Sequence, residues 1–209
     1  YYYLGNVFLD EKKFDSTLFY YNLSLREDRL IGDTAEITAS LNNIGVVNYR
    51  KGDYPQAIKF LNEAMKFNEK TKNQKINSVF LNNIGNIYFD KGDLDKAMHS
   101  YKLSIEKKLA VDFEEGIAIS EYNIGNVYRK KGMIDSARKY LMSGIERGAK
   151  FENKIVVARC YKALSEISEN VEDDKKAFDF YEKFIASSYS ILLEEDDGQV
   201  SEYANKYEK

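Results

Sequence analysis

The chain has 209 residues, 44% of them hydrophobic and 31% charged, with a single proline against twelve glycines, which fits a mostly helical protein with a sizeable core and excludes a disordered polar chain. Its 31 basic and 34 acidic residues leave a net charge of −3 spread along the sequence, so there is no global case for nucleic acid or an anionic membrane as partner. No apolar run nears the roughly 18 residues of a membrane span, no signal segment opens the chain, and Cys160, alone, excludes an internal disulfide and reads as a small buried residue on a helix.

The predicted elements repeat. Residues 1–33 carry Leu4-Gly5-Asn6-Val7, then Thr17 and Tyr21. Residues 34–73 repeat the pattern as Asn43-Ile44-Gly45-Val46, a Gly52-Asp53 turn, Pro55, Ala57 and Leu61. Gly52 suits the left-handed end of one helix, Asp53 the cap of the next, and Pro55 its first turn, where the missing N–H costs little. In residues 74–113, Leu81, Ile84, Gly85 and Tyr88 recur at helical spacing. Lys91-Gly92-Asp93 intervenes, and Leu94, Ala97, Met98, Tyr101 and Ile105 resume the spacing, giving helix, turn, helix. Residues 114–153 hold Asn123-Ile124-Gly125-Asn126, Gly132, Ala137 and Leu141, and residues 154–193 hold Leu164-Ser165, Ala177 and Tyr181. Gly5, Gly45, Gly85 and Gly125 are spaced by 40 residues, as are Gly52, Gly92 and Gly132, and such a period marks a repeat architecture. The small residues Gly85 and Ala97 are expected where paired helices approach most closely, and Tyr21, Leu61, Tyr101, Leu141 and Tyr181 are expected to fill the gap to the neighbouring repeat. Residues 194–209 read as a capping or linker helix.

In Leu81, Ile84-Gly85, Tyr88, Ala97, Tyr101 and Ser104 the third repeat resembles the tetratricopeptide repeat, and the resemblance extends over the whole chain. It implies an all-α fold, a right-handed superhelix of about five helix-turn-helix repeats followed by the C-terminal helical segment. The repeat is 40 residues rather than the family's usual 34, which implies longer second helices. Thr17 stands for alanine, Ser165 for glycine, Glu121 for a large apolar residue with Tyr122 beside it as a substitute, and Lys12 and Glu172 for turn glycines. Degenerate outer repeats fit a capping role.

The resemblance implies that the first helix of each repeat lines a concave groove, with the partner-facing positions flanking the glycine. On this sequence those positions are Asn6, Asn42, Asn43, Asn82, Asn83, Asn86, Asn123 and Asn126. An amide side chain offers both donor and acceptor, so such a ladder suits the backbone of an extended peptide; the same asparagines can equally hold neighbouring repeats together. Tyr49, Phe89 and Arg129 form another groove column, with Lys130, Arg159 and Lys162 making the last third basic and suited to an acidic partner segment. The lysine, asparagine and arginine clamp by which some family members hold a C-terminal carboxylate is not reproduced.

Catalysis finds no footing. His99 is the single histidine and reads as a surface residue, no phosphate-binding loop is present, and no cofactor or metal is expected. The expected function is a non-catalytic module that binds a protein or peptide, as a sensory or scaffolding part of a larger bacterial signalling protein. The alternative is self-assembly into a homodimer through the C-terminal helix. The chain opens at Tyr1 without methionine and reads as an excised, soluble piece, cytoplasmic or periplasmic, without nucleic-acid or membrane contact.

Overall fold

The computed structural model describes residues 1–69, 73–171 and 173–207, with side chains as far as Leu192. Among the described residues there are ten α-helices, one short 3-10 turn and no strand. The chain divides into two compact units, Tyr1–Phe113 and Glu114–Lys209.

The first unit holds α1 (Tyr2–Asp10), α2 (Phe14–Ile31), α3 (Thr34–Lys51), α4 (Tyr54–Glu69), α5 (Gln74–Asp90) and α6 (Leu94–Leu109). They pair as α1 with α2, α3 with α4 and α5 with α6, while α2 also rests on α3 and α4 on α5. Tyr21, Leu25, Leu41, Ile44, Leu61, Phe80 and Ile87 form its core. The second unit opens with the 3-10 turn Glu114–Gly116 and continues through α7 (Ile117–Lys130), α8 (Ile134–Lys150), α9 (Lys154–Asn170) and α10 (Asp174–Tyr207). Here α7 pairs with α8 and α9 with α10, and α8 rests on α9. Its core gathers Ala137, Leu141, Ile145, Cys160, Leu164 and Ile167.

Each pair is closed by a socket on the first helix. A Cβ built on Gly85 would stand 2.7 Å from Tyr101 Cδ1, one on Gly45 3.0 Å from Leu61 Cγ, and one on Gly125 2.8 Å from Leu141 Cγ. The large residues thus seat against the glycine of their own pair, not in the gap to the next repeat as the sequence suggests. Thr17 is buried where alanine is usual, and its hydroxyl donates to the Lys13 carbonyl at 3.0 Å. Glu121 also stays inside: Ser143 donates to its Oε1 at 2.8 Å and Arg147 Nε to its Oε2 at 3.3 Å, so the carboxylate holds the apolar position itself and Tyr122 does not replace it.

The turns follow the expected chemistry. Gly52, Gly92 and Gly132 take φ of 87°, 82° and 74°, and Asp53 and Asp93 accept the backbone N–H of Gln56 and Lys96. Lys12 adopts the left-handed φ of 57° without being glycine; Glu172 lies outside the described residues. The added length is carried by both helices of a pair, 18 and 16 residues in α3 and α4, 17 and 16 in α5 and α6. α10 runs unbroken from Asp174 to Tyr207, across the boundary read after residue 193.

Candidate functional site

In the first unit, α3 and α5 bring three of the expected asparagines together. Asn83 Nδ2 donates to Asn42 Oδ1 at 3.4 Å, and Asn42 Nδ2 to Asn43 Oδ1 at 3.4 Å, a loose amide ladder across two repeats whose members are all half-buried. At 3.4 Å these bonds lie at the long end of the hydrogen-bond range and leave the amides ready to re-pair. Beside Asn42 opens a hollow of about 340 Å³ lined by Thr38, Ala39, Asn68, Asn73, Ile76 and Phe80. Asn68 at its back is held by the Asn73 carbonyl and Asn77 Oδ1 at 2.6 and 2.7 Å. Sequence reading, centred on the glycines, missed this hollow; its signal is the pairing of small Ala35 and Ala39 with apolar Ile76 and Val79 one period on.

Other first-unit candidates are engaged in structure. Asn6 Oδ1 accepts the Tyr21 hydroxyl at 2.5 Å and Asn86 Oδ1 the Tyr101 hydroxyl at 2.8 Å, so each closes its own socket. Asn82 is buried. The Tyr49 hydroxyl donates to Asp90 Oδ2 at 2.6 Å, bridging α3 to α5, and burial together with that bond pushes its pKa above the ordinary phenol range. Phe89 is half-buried.

In the second unit Asn123 is half-buried and Asn126 is 7% exposed. Asn126 Nδ2 donates to the Tyr122 carbonyl at 3.2 Å, while its Oδ1 is enclosed without a partner. The cause lies in its socket: Leu141 fills it and brings no hydroxyl. Arg129 pairs with Glu166, which neutralises one member of the expected basic stretch. Lys130 and Arg159 are exposed, and the exposed Lys162 ammonium sits 5.8 Å from the centre of the Phe184 ring. His99 is exposed and Cys160 buried, its thiol pushed up to about 12 chiefly by burial. Among the described residues no three metal-ligating side chains cluster, and no helix is long and apolar enough to cross a membrane.

Antiparallel helix pairs recurring every 40 residues, each closed by a small-residue socket, define an all-α helical-hairpin repeat protein. The tetratricopeptide-repeat family signature matches residues 37–71, 79–106 and 122–147. The chain is a tetratricopeptide-repeat protein. No curated protein matches it. Solved structures of similar fold include aspartyl phosphate phosphatase F from Bacillus subtilis, with 15% identity and a TM-score of 0.78 over 99% of this chain and 54% of that one. Another is the Rap conjugation gene regulator of plasmid pLS20 in complex with the Phr* peptide, with 17% identity and a TM-score of 0.72 over 99% of this chain and 57% of that one. A kinesin light chain of nearly identical TPR-like repeats from P. anserina gives 12% identity and a TM-score of 0.67 over 91% and 94%. The chain therefore spans little more than half of the phosphatase and of the Rap regulator.

Proposed function

We propose that the chain is a non-catalytic interaction module that holds an extended peptide on the first-helix face of its repeats, as a sensory or scaffolding part of a bacterial signalling protein. The observation that carries this reading is the Asn42–Asn43–Asn83 ladder beside the hollow at Thr38 and Phe80. The amides would exchange their long mutual bonds for a peptide's N–H and C=O groups, and the hollow would take one apolar side chain; backbone bonds then give affinity and the hollow selectivity. The fold shared with a Rap regulator solved with a peptide supports the reading. Exposed Lys130, Arg159 and Lys162 in the second unit favour acidic residues in the partner there.

Selection from a displayed library of short random peptides tests this. The wild-type chain should enrich sequences with a shared apolar position, and the double substitution Asn42→Ala with Asn83→Ala should weaken their binding at least tenfold while the thermal melt stays put. Equal binding by the double variant, or no enrichment by the wild type, would sink the proposal.

A further inference from the structure

The outer face of α10 carries Phe178, Tyr181, Ile185, Tyr189 and Leu192, exposed by 61, 52, 49, 63 and 58%. Their spacing of three, four, four and three residues makes a continuous apolar stripe about 20 Å long. Two causes bring these residues to the surface. At the place in the period that Ile185 occupies, Leu25 and Ile145 are buried, in second helices on which the next first helix rests, α3 on α2 and α9 on α8. For Tyr181 the cause is Ser165: the Gly85 socket has no room for even a Cβ beside Tyr101, so a serine there turns the ring of Tyr181 out. Inward, α10 is already satisfied by α9, with Phe180 stacked on Tyr161.

We propose that this stripe pairs antiparallel with the α10 stripe of a second copy of the chain, about a two-fold axis at Ile185. The spacing is palindromic: centred on Ile185, Phe178 comes level with Leu192 and Tyr181 with Tyr189 of the other copy, so every member of the stripe meets another. A two-fold contact requires this kind of self-complementarity. Charge selects the direction. In the antiparallel register Lys175 and Lys176 come level with Glu195 and Glu194, whereas a parallel pair would lay the acidic run 194–197 beside itself. The surface is independent of the first-helix face, so groove binding and pairing stand or fall separately.

Sedimentation mass over a concentration series, with cysteine cross-linking, tests the pairing. The wild-type chain should reach twice the single-chain mass, and Ile185→Asp, at a half-exposed position, should hold the single-chain mass with an unchanged helical circular-dichroism signal. Under mild oxidation Ile185→Cys should link to itself. Tyr181→Cys should not, but should do so when combined with Tyr189→Cys; the buried Cys160 thiol does not compete. A single-chain mass for the wild type at every concentration would mean that another segment or partner covers the stripe, and would overturn the proposal. So would a dimer indifferent to Ile185→Asp, or self-linking of Tyr181→Cys alone.

Discussion

The asparagine that follows each socket is best understood together with the residue 15 positions later. Asn6 with Tyr21 and Asn86 with Tyr101 make a hydroxyl-to-amide bond, Val46 with Leu61 makes none and needs none, and Asn126 with Leu141 is a hybrid that leaves a buried carbonyl oxygen unpaired. Leu141→Tyr should supply the missing hydroxyl, and Asn126→Val should remove the need for it. Each should raise stability by about 1 kcal/mol, read as a higher urea midpoint, and combining them should erase the gain because the introduced hydroxyl would then lack its acceptor. A loss of stability in both single variants would refute this account. The column of asparagines was legible from the period alone. Its division into structural and orphaned members was not, because that depends on a partner in another helix whose identity alternates.

At the scale of the helix, two kinds of glycine do different work. Gly85 has no space for a side chain, since Tyr101 fills the socket, whereas Gly92 has open space around it but a φ of 82°. Gly85→Ala should therefore cost about 1–3 kcal/mol through overpacking, and Gly92→Ala about 1–2 kcal/mol through left-handed strain alone. Chemical denaturation separates them further with Tyr101→Leu as background, where the Gly85 penalty should shrink and the Gly92 penalty persist. Turns of this kind announce the helix ends in the sequence. Lys12, Asp112 and Glu152 adopt the same left-handed backbone without glycine, so those ends could be placed only by counting from the period. Glu121 misled for a related reason: a carboxylate at an apolar position reads as a departure until the Ser143 and Arg147 side chains that satisfy it are seen on the facing helix.

For the molecule as a whole, the period runs straight through Phe113, and the division into two units there leaves no mark on the sequence. Stability also carries a pH dependence that composition does not suggest. Lys108 is buried, and burial lowers its pKa to about 7. Between about pH 7 and its ordinary value the unfolded chain binds a proton that the folded chain does not, so stability rises with pH across that window. The melting temperature should climb from pH 7 to pH 9, and Lys108→Met should flatten the rise and lift the value at pH 7; an unchanged slope in the variant would assign the dependence elsewhere. The sockets, finally, bear on how a chain of near-identical hairpins finds its register while folding. Filled by Tyr21, Leu61, Tyr101 and Leu141 in turn, they alternate with a period of two repeats. A helix that docked one repeat out of place in the first unit would set a hydroxyl against Val46 or leave Asn86 facing Leu61, and each error buries an unmet polar group. The alternation thus works as a parity check on assembly, rejecting the single-repeat slip to which a uniform array would be blind.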